Sequence, residues 1–149
     1  MGQSPKDIQK RTFDLAIRIV KMVDCLPRTL SGMELGKQVL RSGTSVGANV
    51  QEADAAESKK DFIHKMGIAR KEVQETRFWL GIIQTVILPG DAEVATLWKE
   101  CDELARILYA IIQNTRIPKR RLVQSAVPVL SFVILSPVIL SFAIHSGVL

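Results

Sequence analysis

Residues 41–80 read RSGTSVGANVQEADAAESKKDFIHKMGIARKEVQETRFWL, and their periodicity decides the fold. Two helical patterns meet here with a turn between them. Ser58-Lys59-Lys60-Asp61 places a hydroxyl three positions before an acid, the arrangement by which a side chain caps a helix start. From there Phe62, Met66, Ala69, Val73, Thr76, Leu80, Ile83 and Ile87 recur at alternating steps of four and three, one inward stripe. The preceding pattern, from about Ser31 to about Glu57, turns Leu35, Val39, Val46, Val50 and Ala53 inward. Its middle, Ser42-Gly43-Thr44-Ser45-Val46-Gly47-Ala48, is a poor helix former by propensity.

Outward from this stretch, two more helices are readable. Ser4-Pro5-Lys6-Asp7 opens the first, with Ser at the cap and Pro at the first helical position. Ile8, Leu15, Ile19, Met22 and Leu26 form its main stripe, Phe13, Ala16, Val20 and Val23 a second one, and Pro27 ends it. Pro89-Gly90-Asp91 ends the third helix and caps the fourth, whose stripe is Val94, Leu97, Cys101, Leu104, Leu108 and Ile111. All connections are short, so successive helices run antiparallel. The predicted fold is all-α: an antiparallel up-down-up-down four-helix bundle over residues 1–117, with an extra hydrophobic C-terminal tail.

That tail, residues 118–149, differs in kind. It opens on a basic cluster and continues as 28 residues, 122–149, without a formal charge. Val-Ile-Leu-Ser recurs within it at Val133 and Val138. The uncharged length exceeds the about 20 residues needed to span a bilayer. The flank Arg116, Lys119, Arg120 and Arg121 sits where a cytoplasmic anchor flank belongs. Five serines, two prolines, Gln124 and His145 weigh against a span. A low-complexity appendage is the favoured reading, and the membrane the alternative.

The chain's +5 formal charge is equally local. All 20 basic and 15 acidic residues precede Leu122, and the four cations of the flank leave residues 1–115 with a balance of +1. The basic isoelectric point therefore says little about nucleic acid. Cys25 and Cys101 lack metal or redox spacing and read as buried, reduced thiols. The polar start MGQSPKDIQKR has no apolar leader core, so the reading places the protein in the cytoplasm.

Chemistry is sparse. Asp61 and His64 share a helix face, near Glu52, Glu72 and Glu75. A di-metal bundle requires carboxylates from all four helices and two inward Glu-x-x-His pairs. The bundle has one Asp-x-x-His and no second histidine, so no metal and no cofactor are expected. The serines of RSGTSVG have no paired base, and Gly43-x-x-x-Gly47 lacks the Lys-Ser/Thr of a phosphate-cradling loop. Its small residues read instead as a close approach of another helix. No catalytic residue is assigned and no enzyme is expected.

Three pieces, RSGTSVGANVQEA, SKKDFIHK and IARKEVQETRFWL, carry a family resemblance. The chain resembles, from about Phe13 to about Asn114, the small bacterial four-helix-bundle proteins encoded in intervening sequences of the 23S rRNA gene. These are in turn similar to accessory proteins of diversity-generating reverse transcriptases. The resemblance implies a continuous second helix despite its poor propensity. It also implies a homo-oligomeric ring, in related cases a pentamer.

Two surface readings follow. Arg41, Lys59, Lys60, Lys65, Arg70, Lys71 and Arg77 are candidate phosphate contacts for RNA or DNA. The competing reading is a solvated face with an Asp61–Lys65 pair. Phe78, Trp79, Ile82 and Val86 form a second apolar stripe on the third helix, and at least one of Phe78 and Trp79 must point away from the core. Two-sided apolar helices in a small bundle suggest a subunit interface. The resulting expectation is a non-enzymatic homo-oligomer acting as a nucleic-acid-binding or ribosome- or reverse-transcriptase-associated accessory factor. The alternative is an interaction scaffold without a nucleic-acid role, tethered to a membrane or free of one.

Overall fold

The computed structural model describes residues 5–117. Four helices form in order: α1 (Pro5–Asp24), α2 (Leu30–Asp54), α3 (Lys59–Ile82) and α4 (Ala92–Arg116). Each packs on its neighbour in sequence and α4 returns to α1, while no Cα atoms of the diagonal pairs α1/α3 and α2/α4 come within 8 Å of each other. This is the expected antiparallel four-helix bundle. The appendage and its basic cluster from Lys119 onward lie outside the described residues, as does Ser4.

The starts are capped as their sequences dictate. Thr29 Oγ accepts from the Gly32 amide at 3.1 Å, Ser58 Oγ from the Asp61 amide at 3.1 Å, and Asp91 Oδ1 from the Val94 amide at 2.9 Å. Gly90 carries φ of +80°, a conformation that favours glycine. The inward stripes close over one core, with Leu15, Ile19, Val39, Val46, Val73, Leu80, Leu97, Leu104 and Leu108 fully buried. On α4 the stripe ends on Ile112, with Ile111 only half-buried.

α2 is continuous through its weak middle. Ser42, Thr44, Ser45 and Asn49 each donate to the carbonyl four residues back, at 2.8–2.9 Å, so their polar groups are satisfied within the helix. The glycines serve packing. A Cβ on Gly43 would stand 2.4 Å from Ile19 Cδ1, and one on Gly47 would stand 3.4 Å from the Thr12 carbonyl oxygen of α1. α1 and α2 therefore approach until side chain meets backbone.

One difference from expectation lies at the end of α3. A regular helix was expected to reach Ile87, but Ile83–Ile87 form a π-helical turn, with the Leu88 amide donating to the Ile83 carbonyl at 2.9 Å. Thr85 Oγ donates to the Gly81 carbonyl at 2.8 Å in the same turn, and Pro89 disfavours helix at the residue before it. The cysteines also divide. Cys101 is buried, and burial pushes its thiol up to about 12. Cys25 is exposed: it falls one residue beyond α1 and off the stripe of Met22 and Leu26 that packs on the core.

The α1/α4 seam is ionic. Arg11 reaches Glu100 at 2.8 Å and Glu103 at 3.1 Å, and Arg18 reaches Glu93 at 2.8 Å. The guanidinium hydrogen bonds hold Glu93 and Glu103 below the usual carboxylate range. A depressed carboxylate stabilises the fold above its unfolded value, about 4.3, and loses that contribution as pH falls through the folded value. Glu72 works with the opposite sign, since partial burial and then Glu75 push it up.

Four outcomes are expected. In a thermal-unfolding series followed by circular dichroism, the midpoint falls as pH drops from about 5 to about 3. Arg18→Gln flattens that fall, and an unchanged slope would show the seam to be inert. In the same assay at neutral pH, Gly67→Ala stabilises by about 0.5–1 kcal/mol, because a Cβ there meets nothing within 4 Å. Gly32→Ala destabilises, because its Cβ would stand 2.1 Å from the Pro27 carbonyl oxygen and disturb the Thr29 cap.

Candidate interaction surfaces

The outer face of α3 is the most differentiated surface of the bundle. Residues 60, 64, 71, 78 and 82 are spaced by four and seven and so share one helix face. Lys60, His64 and Lys71 occupy its first part and are exposed, whereas Phe78, Ile82 and Val86 occupy its last part. The same face is thus cationic at one end and apolar at the other.

The structure separates the seven candidate phosphate contacts into two groups. Arg41 pairs with Glu75 across the α2/α3 seam at 2.9 Å. Lys65 pairs with Glu52 of α2 rather than with Asp61, and that hydrogen bond raises the lysine above its ordinary value. The carboxylate on the facing helix offers a direct contact, so the cross-helix partner wins over the local one. Arg77 pairs with Asp102 of α4 and lies over the Trp98 ring at 5.4 Å. Arg70 lies over the Tyr109 ring at 4.8 Å, and its buried Nε has no hydrogen-bond partner among the described residues. These four hold helices together within one copy. Lys59, Lys60 and Lys71 are exposed and make no ion pair with any described residue.

The apolar candidates also divide. Trp79 turns toward the bundle, packs on the core and donates Nε1–H to Glu75 at 3.2 Å. Phe78 is the residue that points away, 58% exposed, meeting Trp79 edge-on at 4.9 Å. Val86 is 69% exposed and Ile82 half-buried. On α1, Phe13 and Val20 of the predicted second stripe are 64% and 41% exposed, while Ala16 and Val23 are half-buried. Ile17, which the sequence reading did not place on that stripe, joins it at 39%.

His64 is exposed, and among the described residues no group of three or more His, Cys, Asp or Glu is placed to hold a metal ion. Among them, too, no helix is long and apolar enough to cross a membrane. Sequence reasoning missed the partners that engage the arginines: Glu75, Trp98, Asp102 and Tyr109. Their signal is a register between facing helices, visible only once the helices are docked.

Comparison with known proteins agrees with the bundle. No curated protein matches the chain. A solved structure from Bacteroides thetaiotaomicron, described as a protein with unknown function from the S23 ribosomal protein family, is 33% identical. It superposes with a TM-score of 0.68 over 73% of this chain and 97% of its own. A family described as 23S rRNA-intervening sequence protein matches residues 6–110. With that match spanning all four helices, and a relative sharing the bundle over nearly its whole length, the chain belongs to the 23S rRNA-intervening sequence protein family.

Proposed function

We propose that the protein is a non-enzymatic, homo-oligomeric accessory module that assembles through the apolar end of α3 and holds nucleic acid through its cationic end. The observation that carries this reading is the lengthwise division of one α3 face, Lys60, His64 and Lys71 followed by Phe78, Ile82 and Val86. An exposed aromatic beside aliphatic neighbours favours burial against protein. Unpaired lysines on the adjoining turns suit a phosphate backbone. The relative's S23 ribosomal family name is consistent with an RNA partner, and the resemblance to reverse-transcriptase accessory proteins with a ring, in related cases a pentamer. Repetition of a modest patch around a ring supplies the avidity that one copy lacks.

A second reading, an interaction scaffold without nucleic acid, draws on a different observation. Four of the seven candidate cations are already engaged inside the bundle: Arg41, Lys65, Arg70 and Arg77.

Phe78→Glu is expected to convert the full-length protein from an oligomer to monomers by light scattering, with helicity retained. Each buried Phe contributes on the order of 2 kcal/mol to the contact. Wild type that is monomeric at micromolar concentration sinks the assembly reading. For nucleic acid, the affinity of full-length protein for RNA and DNA is followed against salt. Lys60→Ala and Lys71→Ala each shallow the log–log slope by roughly 0.7 to 0.9, the value for one phosphate left without its cation, and Lys65→Ala leaves the slope unchanged. Absence of binding at low salt leaves the scaffold reading standing.

A further inference from the structure

Tyr109 of α4 is an exposed aromatic that belongs to neither outward apolar stripe. It sits on the α3/α4 seam, with the Arg70 guanidinium 4.8 Å over its ring. Across the same seam Arg77 pairs with Asp102. A step of seven residues back on α3 and seven forward on α4 leads from the second pair to the first. The same register sets residue 63 of α3 level with Arg116 of α4, about 10 Å beyond the ring. The ring therefore lies in a cationic strip, with Arg70 and Lys71 beside it and Arg116 and Lys60 further along. Lys60, Lys71 and Arg116 are exposed, and neither they nor Arg70 make an ion pair with a described residue. α4 carries no acid from Arg106 to Ile117. On α3, Asp61 and Glu72 share the face of Lys65, which turns to α2. Arg70 meets the ring with the face of its guanidinium, a contact that leaves the in-plane donors unused, and its buried Nε has no hydrogen-bond partner among the described residues.

We infer that Tyr109 is a stacking platform for an unpaired base, so that the nucleic acid held by the cationic end of α3 is single-stranded. This rests on the nucleic-acid reading proposed above and names its substrate class. Phosphate contacts by themselves reach a single strand and a duplex alike. An exposed ring set among cations discriminates between them. In a duplex each base face is covered by its neighbours in the stack, whereas an unpaired base turns a face to an aromatic side chain. Every base has such a face, so the contact requires no particular sequence. Arg70 lying over the ring holds it in place before a base arrives, which lowers the ordering cost of binding. The unused guanidinium donors of Arg70 then stand beside the stacked base, where a phosphate oxygen accepts from them.

The test sets single strands against duplexes, by fluorescence anisotropy on the full-length protein at one low salt concentration. The probes are short RNA and DNA strands of mixed sequence, each alone and annealed to its complement. Wild type is expected to bind both single strands about tenfold more tightly than their duplexes, the lower part of the range for one base stacked on an aromatic ring. Tyr109→Leu keeps an apolar side chain and removes the ring. It is expected to lose about tenfold on single strands and nothing on duplexes. Its log–log salt slope stays that of wild type, because a stack releases no counterion. Tyr109→Phe keeps the ring and is expected to bind like wild type. Circular dichroism checks the helicity of both variants, and the comparison of strands with duplexes on wild type decides the matter even where the leucine variant loses its fold. Duplexes bound as tightly as single strands overturn the inference and leave the phosphate contacts standing, as does a folded Tyr109→Leu that binds single strands like wild type. An equal loss in Tyr109→Phe and Tyr109→Leu assigns the effect to the hydroxyl and overturns it too. Absence of binding to every probe overturns the nucleic-acid reading itself, and this inference with it.

Discussion

Ile19 fills the space that a side chain at Gly43 would occupy, and the rest of the bundle is arranged around that contact. Below it in the same seam, Gly47 lets the α1 backbone at Thr12 come within van der Waals reach. A helix packed this tightly on its neighbour has no freedom to rotate. The orientation of α1 therefore fixes which residues it turns to α4 and which to solvent. Arg11 and Arg18 fall toward α4, where they meet carboxylates. Phe13, Ile17 and Val20 fall outside. The exposed stripe is thus a geometric consequence of a glycine-lined seam on the other side of the helix.

The seams around the bundle are not equivalent. α1 meets α2 through apolar and backbone contact, which salt and pH leave alone. α2 meets α3 through buried aliphatics and, at the rim, the pairs Arg41–Glu75 and Lys65–Glu52. α3 meets α4 through arginines lying over aromatic rings. α4 meets α1 through carboxylates and guanidiniums that are partly exposed and contribute modestly. Six cations, Arg11, Arg18, Arg41, Lys65, Arg70 and Arg77, are therefore distributed along seams, one helix reaching for the next, instead of being gathered into one field.

Much of this was legible before any coordinates. The four-and-three spacing survives as a buried stripe from Met66 to Ile83, with Phe62 half-buried at its start, because helical periodicity is a local property of the backbone. Ser58 and Asp91 cap as read because capping spans three residues. The π-helical turn at Ile83–Ile87 was not legible, since its residues still fit an inward stripe. The fate of the cations was not legible either. Asp61 is the local partner that sequence offers Lys65, yet Glu52 lies thirteen residues away and takes it, because docking α2 on α3 brings the two together. Of Phe78 and Trp79, adjacency required only that one point away; it is Trp79 that turns in, with its indole donating to Glu75.

A bundle built this way places a limit on what one copy can do electrostatically. Residues 1–115 are nearly neutral, and on the α2/α3 surface only Lys59, Lys60 and Lys71 of the seven candidates make no ion pair or aromatic contact with a described residue. Three phosphate contacts correspond to a salt slope of roughly −2 to −3, well short of the 6–10 contacts typical of firm binders. Strengthening the field within one copy would mean releasing Arg41, Lys65 or Arg77 from the seams they close, at a cost to the fold. Repeating the copy leaves every seam intact and multiplies the three lysines by the number of subunits. The apolar end of α3 and the cationic end of the same helix are then two halves of one arrangement. In the proposed assembly the first sets how many copies stand together, and that number sets how strongly the second is felt by a polyanion.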